Sequence, residues 1–97
     1  MIERINKNEE RLDRINECIN NLENALNSFK TNYKDIKLIN NYYGSKNWFK
    51  DKESFEEHKI EGIKAGVLSE DAVWNMNENI TDLLIEMEKI IKYMKKK

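Results

Sequence analysis

Apolar residues recur at alternating intervals of three and four positions over residues 12–36, and this spacing constrains the fold more than any other feature of the chain. A repeat of about 3.5 residues is typical of helices that pair as coiled coils. Asn8 and Asn40 fall at seam positions beyond this stretch and weaken the pattern at both ends. We call the following side chains the first seam: Leu12, Ile15, Ile19, Leu22, Leu26, Phe29, Tyr33 and Ile36.

The first seam predicts a helix over about residues 2–43. The chain contains no proline, so no residue of this helix lacks the backbone N–H that helical bonding needs. Gly44 is a natural end, because glycine readily adopts the left-handed conformation that closes a helix. A bend in this helix is compatible with the polar pair Thr31 and Asn32.

A second apolar stripe with the same spacing lies toward the other end of the chain. Ser69 precedes it as a natural N-cap, and Glu70 and Asp71 follow where the helix dipole favours negative charge. These signals predict a helix over about residues 70–95. The stripe consists of Val73, Met76, Ile80, Leu83, Met87, Ile90 and Met94.

The connector between the two helices, residues 44–68, is the least regular part of the chain. Ser54 and Glu57 have the spacing of a capping box, which marks the start of a helix. Gly62 follows as a stop signal. We therefore predict a short third helix over about residues 54–62.

Together these elements predict an all-α fold and a single helical domain over residues 1–97. A compact connector returns the chain alongside itself, so the long helices should form a long antiparallel, coiled-coil-like hairpin with the short helix in its connector. We expect both stripes to pack against helices. Because the first helix is the longer one, part of the first seam lacks a partner within the chain. An exposed apolar stripe usually marks a binding surface. Its occupant would be a second copy, giving a homodimer through the long helix, or a different protein.

The charge balance of the chain argues against a nucleic-acid partner. The chain has 17 Lys and Arg against 18 Asp and Glu, so it lacks the basic surface that a nucleic-acid-binding protein needs.

No apolar run approaches the roughly 18 residues of a membrane span. Cys18 is the only cysteine, and no N-terminal stretch resembles a signal peptide, so we expect a cytoplasmic protein.

The residues that usually carry enzyme chemistry are sparse. The only histidine, His58, lies in a charged segment that we expect to be exposed, and it is forty residues from Cys18. Zinc sites and nucleophile–base pairs need such side chains in clusters. A di-iron bundle needs Glu-x-x-His pairs, but Phe55 occupies the position three before His58. We therefore expect no metal, no cofactor and no catalytic residue.

Aromatic side chains cluster at the end of the first helix, where Tyr42, Tyr43, Trp48 and Phe49 lie within eight residues. One interpretation is a structural cap that closes the hairpin. The other is a contact site, because Tyr and Trp are common anchors of protein interfaces. In an antiparallel hairpin the start of the last helix lies at this same end. The candidate partner-binding residues are therefore Tyr42, Tyr43, Ser45, Trp48, Asp51, Glu70, Asp71 and Trp74.

Three stretches carry a resemblance to a known family: Ile2-Glu3-Arg4-Ile5, Tyr42-Tyr43-Gly44-Ser45 with Trp48 and Asp51, and Gly66-Val67-Leu68-Ser69-Glu70-Asp71-Ala72-Val73-Trp74. Over nearly its whole length the chain resembles the small bacterial and phage proteins grouped as domain of unknown function 4298. Trp74 stands where tyrosine is expected in that family. The resemblance implies a short, stand-alone, helical, intracellular protein. It implies no activity, and an anti-defence role is suggested only by analogy with other phage proteins.

The sequence leaves three hypotheses for the function. The first is a non-enzymatic protein-interaction module, in which the seams pair helices and the aromatic end binds a protein partner. The second is an inhibitor, encoded by a phage or mobile element, that blocks a host defence nuclease complex by mimicking nucleic acid. A net charge of −1 argues against broad mimicry of nucleic acid, whose backbone is densely negative. The third is a small-ligand-binding protein that uses Tyr43, Ser45, Asp51 and Glu70 in a pocket.

Overall fold

The computed structural model describes residues 1–96, and every regular element in that range is a helix or a helical turn. The predicted all-α class is therefore confirmed. By its internal contacts the chain divides into two compact units, Met1–Lys37 and Leu38–Lys97. The elements in chain order are α1 (Ile2–Thr31), α2 (Tyr33–Tyr42), α3 (Lys46–Glu56), a 3₁₀ turn (Gly66–Leu68) and α4 (Ala72–Lys95).

The helix predicted over residues 2–43 is interrupted at Asn32, which separates α1 from α2. Two side chains near this position compete with backbone N–H groups for a carbonyl oxygen of the helix. The Thr31 hydroxyl and the Asn32 amide both donate to the carbonyl oxygen of Ser28, at 2.7 and 2.9 Å. The backbone N–H of Asn32 donates instead to the carbonyl of Phe29, three residues back, at 3.0 Å. Short polar side chains that bond to nearby backbone groups bend helices in this way.

In the first unit, most of the first seam lies open to solvent. No residue of α1 is buried, and Leu12, Ile19 and Leu26 are 50%, 47% and 36% exposed. Phe29 is half-buried, and its ring meets the ring of Tyr33 edge-on with 5.9 Å between centroids. Part of this seam was expected to lack a partner within the chain, and in the first unit that part is most of its length. A chain of this size has a small core and few apolar side chains to cover such a stripe.

The core of the second unit consists of three buried hydrophobic residues, Trp48, Leu68 and Val73, which are 4%, 7% and 2% exposed. They come from α3, the 3₁₀ turn and α4, and the turn packs against both helices. The second stripe is covered mainly near this core. Farther along α4, Leu83 and Ile90 are 54% and 58% exposed.

The short helix of the connector lies earlier in the chain than expected. It runs from Lys46 to Glu56, so the predicted helix over residues 54–62 is wrong in position. Ser54 lies inside α3, and Glu57 is the C-cap of that helix instead of the third residue of a new one. The capping-box spacing of these two residues is therefore not used, because the helix has already begun at a stronger cap.

The start of α4 uses the cap that the sequence indicates. The Ser69 hydroxyl accepts the backbone N–H of Ala72 at 3.1 Å, which satisfies one of the donors left free at a helix start. Regular helix begins at Ala72, against the predicted range of 70–95, and Asp71 forms no side-chain cap.

Within the second unit, the end of α2 and the start of α4 run antiparallel. The side-chain amides of Asn40 and Asn77 donate to each other, at 3.2 and 2.8 Å. Three residues farther along the chain from Asn40, the Tyr43 hydroxyl donates to the carbonyl of Glu70, which precedes α4. The later residue of one segment therefore lies beside the earlier residue of the other, so the two segments run in opposite directions. This agrees with the predicted antiparallel hairpin.

Candidate partner-binding tip

We call residues 42–52 and 67–74 of the second unit the tip, because they include every candidate contact residue from the sequence. Gly44 has a φ of +75°, the left-handed conformation expected where α2 ends. Ser45 then begins α3 as its N-cap, and its hydroxyl accepts the backbone N–H of Trp48 at 3.2 Å. A cap of this kind contributes about 1 kcal/mol to helix stability.

Trp48 is the structural centre of the tip. Its indole Nε1–H donates to the carbonyl of Val67 at 2.9 Å, which ties α3 to the 3₁₀ turn. The Tyr43 and Phe49 rings pack edge-on against it, with centroids 5.1 and 4.9 Å away. Such edge-to-face pairs stabilise a fold beyond the area that they bury. Because Trp48 is only 4% exposed, it supports the tip from within and offers no surface to a partner.

A second link ties the end of α2 to the middle of α3. The Tyr42 hydroxyl donates to the Asp51 carboxylate with 2.6 Å between the oxygens. This hydrogen bond, together with burial and the nearby negative charge of Asp51, raises the pKa of Tyr42 to about 12. The phenol therefore stays protonated and donating at any physiological pH. Tyr42 and Asp51 act as a fixed pair, as expected for a structural cap.

Glu70 receives contacts from two other elements of the tip. Its backbone carbonyl accepts the Tyr43 hydroxyl at 2.5 Å, and its carboxylate pairs with the Lys52 ammonium at 2.9 Å. The hydrogen bond that the Lys52 ammonium donates to the Glu70 carboxylate raises the pKa of Lys52. The same ammonium lies 5.2 Å from the centroid of the Trp48 ring, within the range of a cation–π contact. The segment before α4 is thus held against α3 by a charged contact at the surface.

Two large aromatic side chains and several charged ones of the tip remain on its surface, Lys46 and Lys50 among the charged ones. Glu70, Asp71 and Trp74 are exposed candidates from the sequence, and Trp74 is 60% exposed. Phe49, a member of the aromatic cluster, is 61% exposed. The other five candidates are half-buried or buried: Tyr42, Tyr43, Ser45, Trp48 and Asp51. The tip therefore combines an internally bonded interior with exposed aromatic groups and exposed charges of both signs, with Glu70 and Asp71 before α4 and Lys46 and Lys50 on α3.

A shallow groove of about 220 Å³ adjoins the tip between α3 and the 3₁₀ turn. Its walls combine apolar side chains with charged groups at the rim. A groove of this size is smaller than a typical small-molecule pocket of about 300–1,000 Å³. The lining residues are Lys52, Phe55, Glu56, Ala65, Leu68 and Ser69.

Comparison with known proteins now decides the family. The sequence model of a family described as Domain of unknown function (DUF4298) matches residues 5–90. The chain belongs to the DUF4298 family. The predicted resemblance is thereby confirmed. No curated protein and no solved structure matches the chain. Since the description of the DUF4298 family names no activity, the geometry of the tip carries the functional argument.

Two residues that hold this DUF4298 tip together were not among the candidates predicted from the sequence. Lys52 bonds to Glu70 and lies on the Trp48 ring, and Val67 supplies the carbonyl that Trp48 binds. Lys52 follows Trp48 by four residues, so a helix begun at Lys46 would have placed them on one face. The role of Val67 belongs to its backbone, and no side-chain pattern indicates it.

The other side chains with chemical potential lie outside the tip. The His58 side chain is 83% exposed, as expected, and its Nδ1 lies 3.8 Å from a carboxylate oxygen of Glu61. Cys18 is exposed on α1. Residues 1–96 contain no group of three His, Cys, Asp or Glu side chains that could hold a metal ion. Over the same residues, no helix combines the length and the apolar character needed to cross a membrane.

Proposed function

We propose that this protein is a non-enzymatic helical interaction module whose tip binds a protein partner. One observation carries the proposal: the tip is fixed by internal contacts, yet it exposes about 60% of two large aromatic side chains, Phe49 and Trp74. Exposed aromatic groups on a rigid support are typical of interface anchors, because little conformational entropy is lost when they bind.

The internal bonding of the tip supports binding over catalysis. The hydroxyls of Tyr42, Tyr43 and Ser45 each have a partner within the tip, as does the Asp51 carboxylate. Catalytic groups need a reacting atom within reach. These groups are instead engaged in holding α2, α3 and the segment before α4 together. The small-ligand hypothesis, which placed Tyr43, Ser45, Asp51 and Glu70 in one pocket, gains no support from this arrangement.

The surface of the tip indicates the chemistry of a partner. The Glu70 side chain is 77% exposed although it pairs with Lys52, and Asp71 beside it is exposed without a capping bond. A complementary protein would present a basic side chain toward these acids. It would also present apolar side chains toward Phe49, Trp74 or the groove at Leu68. Complementary charge raises association rates, while buried aromatic anchors supply most of the affinity.

The test compares the intact protein with variants at the two exposed rings. Immobilised protein is used to capture partners from cells of the native host, and each candidate is purified and titrated by calorimetry. Phe49→Ala and Trp74→Ala should each weaken binding of a true partner by about 10-fold or more. Tyr93→Ala removes an aromatic side chain that is 66% exposed outside the tip and serves as the matched control.

Other results of these experiments would contradict the proposal. Binding that tolerates both ring variants would place the interface elsewhere. A host defence nuclease complex, the alternative drawn from the sequence, would be identified directly as the captured partner. If metabolites raised the melting temperature instead, the small-ligand hypothesis would replace the interaction module.

A further inference from the structure

α1 carries an apolar stripe whose charged borders have a defined order. The stripe runs from Leu12 to Phe29 on a single helix, and its members from Leu12 to Leu26 are 36–56% exposed. Just outside its ends, on the same edge, lie Glu9 and Lys30. Glu9 follows the seam position of Asn8 and Lys30 follows Phe29, so both occupy the heptad position that borders a coiled-coil interface. Neither forms an ion pair within residues 1–96.

We infer that α1 binds α1 of a second copy of this chain, in an antiparallel pair centred between residues 20 and 21. In this register Leu12 lies opposite Phe29 of the second copy. Ile15 then lies opposite Leu26, and Ile19 opposite Leu22. All six residues belong to α1, so the interface ends before the interruption at Asn32. Each seam residue meets another apolar residue, as knobs-into-holes packing requires.

The bordering charges select this register. With the axis between residues 20 and 21, Glu9 of each copy comes beside Lys30 of the other, which gives two attractive pairs at the rims. Sliding one helix by a heptad in one direction brings Glu9 beside Glu23 and buries Asn8 against Leu26. Sliding it the other way brings Glu23 beside Glu23 of the second copy, and it moves the partner of Glu9 to Lys37, which lies beyond the interruption at Asn32. Like charges at these positions destabilise the pairing.

The orientation follows from the same charges. In a parallel pair Lys30 would lie beside Ala25 of the second copy and would have no acidic partner. Only the attraction between Arg4 and Glu9 would remain, at one end of the interface. Antiparallel helices also place their dipoles in the favourable opposed arrangement. The occupant of the stripe is therefore an inverted second copy, and the residues that define this pairing all belong to α1.

Sedimentation equilibrium over a wide concentration range tests the association itself. The intact chain of 11.6 kDa should approach twice this mass as concentration rises. Ile19→Lys, at the centre of the seam, should abolish the dimer, whereas Asn24→Lys on the outer face of α1 should not. Circular dichroism verifies that both variants remain helical. A chain that stays monomeric at all concentrations overturns the inference. The tip variants Phe49→Ala and Trp74→Ala should leave the dissociation constant of the dimer unchanged. The test of self-association is therefore independent of the proposed partner site.

Charge reversal tests the register and the orientation. Glu9→Lys and Lys30→Glu should each weaken the dimer by about 3- to 10-fold, the range expected for two exposed ion pairs turned repulsive. The double variant should restore it to within about 2-fold. In a parallel dimer Lys30→Glu would have little effect and the double variant would not recover. A spin label on Glu3→Cys in a Cys18→Ser background should give a distance of about 50 Å between copies. A distance below about 30 Å would overturn the antiparallel arrangement.

Discussion

The Tyr42 hydroxyl lies 2.6 Å from a carboxylate oxygen of Asp51 and donates its proton to it. This bond joins the last residue of α2 to the middle of α3, across the turn at Gly44 and Ser45. It also couples the stability of the second unit to pH. The folded protein holds the pKa of Tyr42 near 12, above its ordinary value of 10.0.

The first prediction concerns alkaline unfolding. Because the folded pKa of Tyr42 is the higher one, its contribution to stability is complete below about pH 10 and is lost as the pH rises through 12. Tyr42→Phe should therefore lower the free energy of unfolding at pH 8 by about 1 kcal/mol. The difference from the intact protein should shrink between pH 10 and 12. Urea unfolding of both proteins across this range measures it.

Absorbance of the phenolate gives an independent reading of the same pair. The difference between the titrations of the intact protein and Tyr42→Phe isolates Tyr42. Its midpoint should lie near pH 12, and Asp51→Asn should lower it, because the charged acceptor that favours the protonated phenol is gone. A midpoint near pH 10 in the intact protein would contradict the bond between these residues.

The second prediction concerns Trp48, whose ring is in the core and whose indole N–H has a partner. Trp48→Ala should lower the free energy of unfolding by about 3–5 kcal/mol, the usual cost of emptying a large buried aromatic site. Trp74→Ala, at a residue that is 60% exposed, should change it by no more than about 0.5 kcal/mol. Denaturant titration followed by circular dichroism compares the two variants. Equal effects would mean that Trp48 is not the centre of the core.

Fluorescence separates the two tryptophans further. Trp74→Phe leaves only Trp48, whose emission should be blue-shifted as expected for a buried indole. Trp48→Phe leaves only the exposed Trp74, whose emission should be red-shifted. This outcome would distinguish the supporting role of Trp48 from the contact role proposed for Trp74.

Several features of this fold could be predicted because they depend on local signals. The glycine at the end of α2 and the serine before α4 act where the sequence placed them, since Gly44 has a positive φ and Ser69 accepts the N–H of Ala72. The helix in the connector was misplaced because two serines compete as caps. Ser54 has a suitably spaced glutamate, but Ser45 follows a glycine stop and precedes Trp48, whose burial stabilises the earlier helix.

The candidate site was harder to predict because burial depends on tertiary contacts. The sequence correctly gathered the aromatic residues and the acids before α4 at one tip, yet it could not divide them into support and surface. Trp48 and Phe49 are neighbours of similar character, but one is 4% and the other 61% exposed. Only Trp48 donates to the Val67 carbonyl, a backbone group with no sequence signature.

The third prediction concerns the reciprocal amide pair of Asn40 and Asn77, which joins α2 to α4 within the second unit. Replacing either residue by leucine leaves one amide without its partner, whereas replacing both leaves an apolar pair of similar size. We expect each single variant to lose stability and the double variant to recover part of it, with a coupling energy of about 0.5–1 kcal/mol. A double-mutant cycle from urea unfolding measures this coupling. Additive effects would indicate that the two side chains do not meet.

The last prediction contrasts two glycines whose added Cβ would meet open space. Neither Gly44 nor Gly66 has another atom within 4 Å of that position, so backbone conformation alone decides the outcome. Gly44 has a φ of +75°, and Gly44→Ala should destabilise the protein by about 1–2 kcal/mol. Gly66 is not in that conformation, and Gly66→Ala should stabilise it by about 0.4–1 kcal/mol by restricting the unfolded chain. Thermal unfolding below the concentration of self-association compares them. If Gly44→Ala raised the melting temperature or left it unchanged, the left-handed turn between α2 and α3 would be disproved.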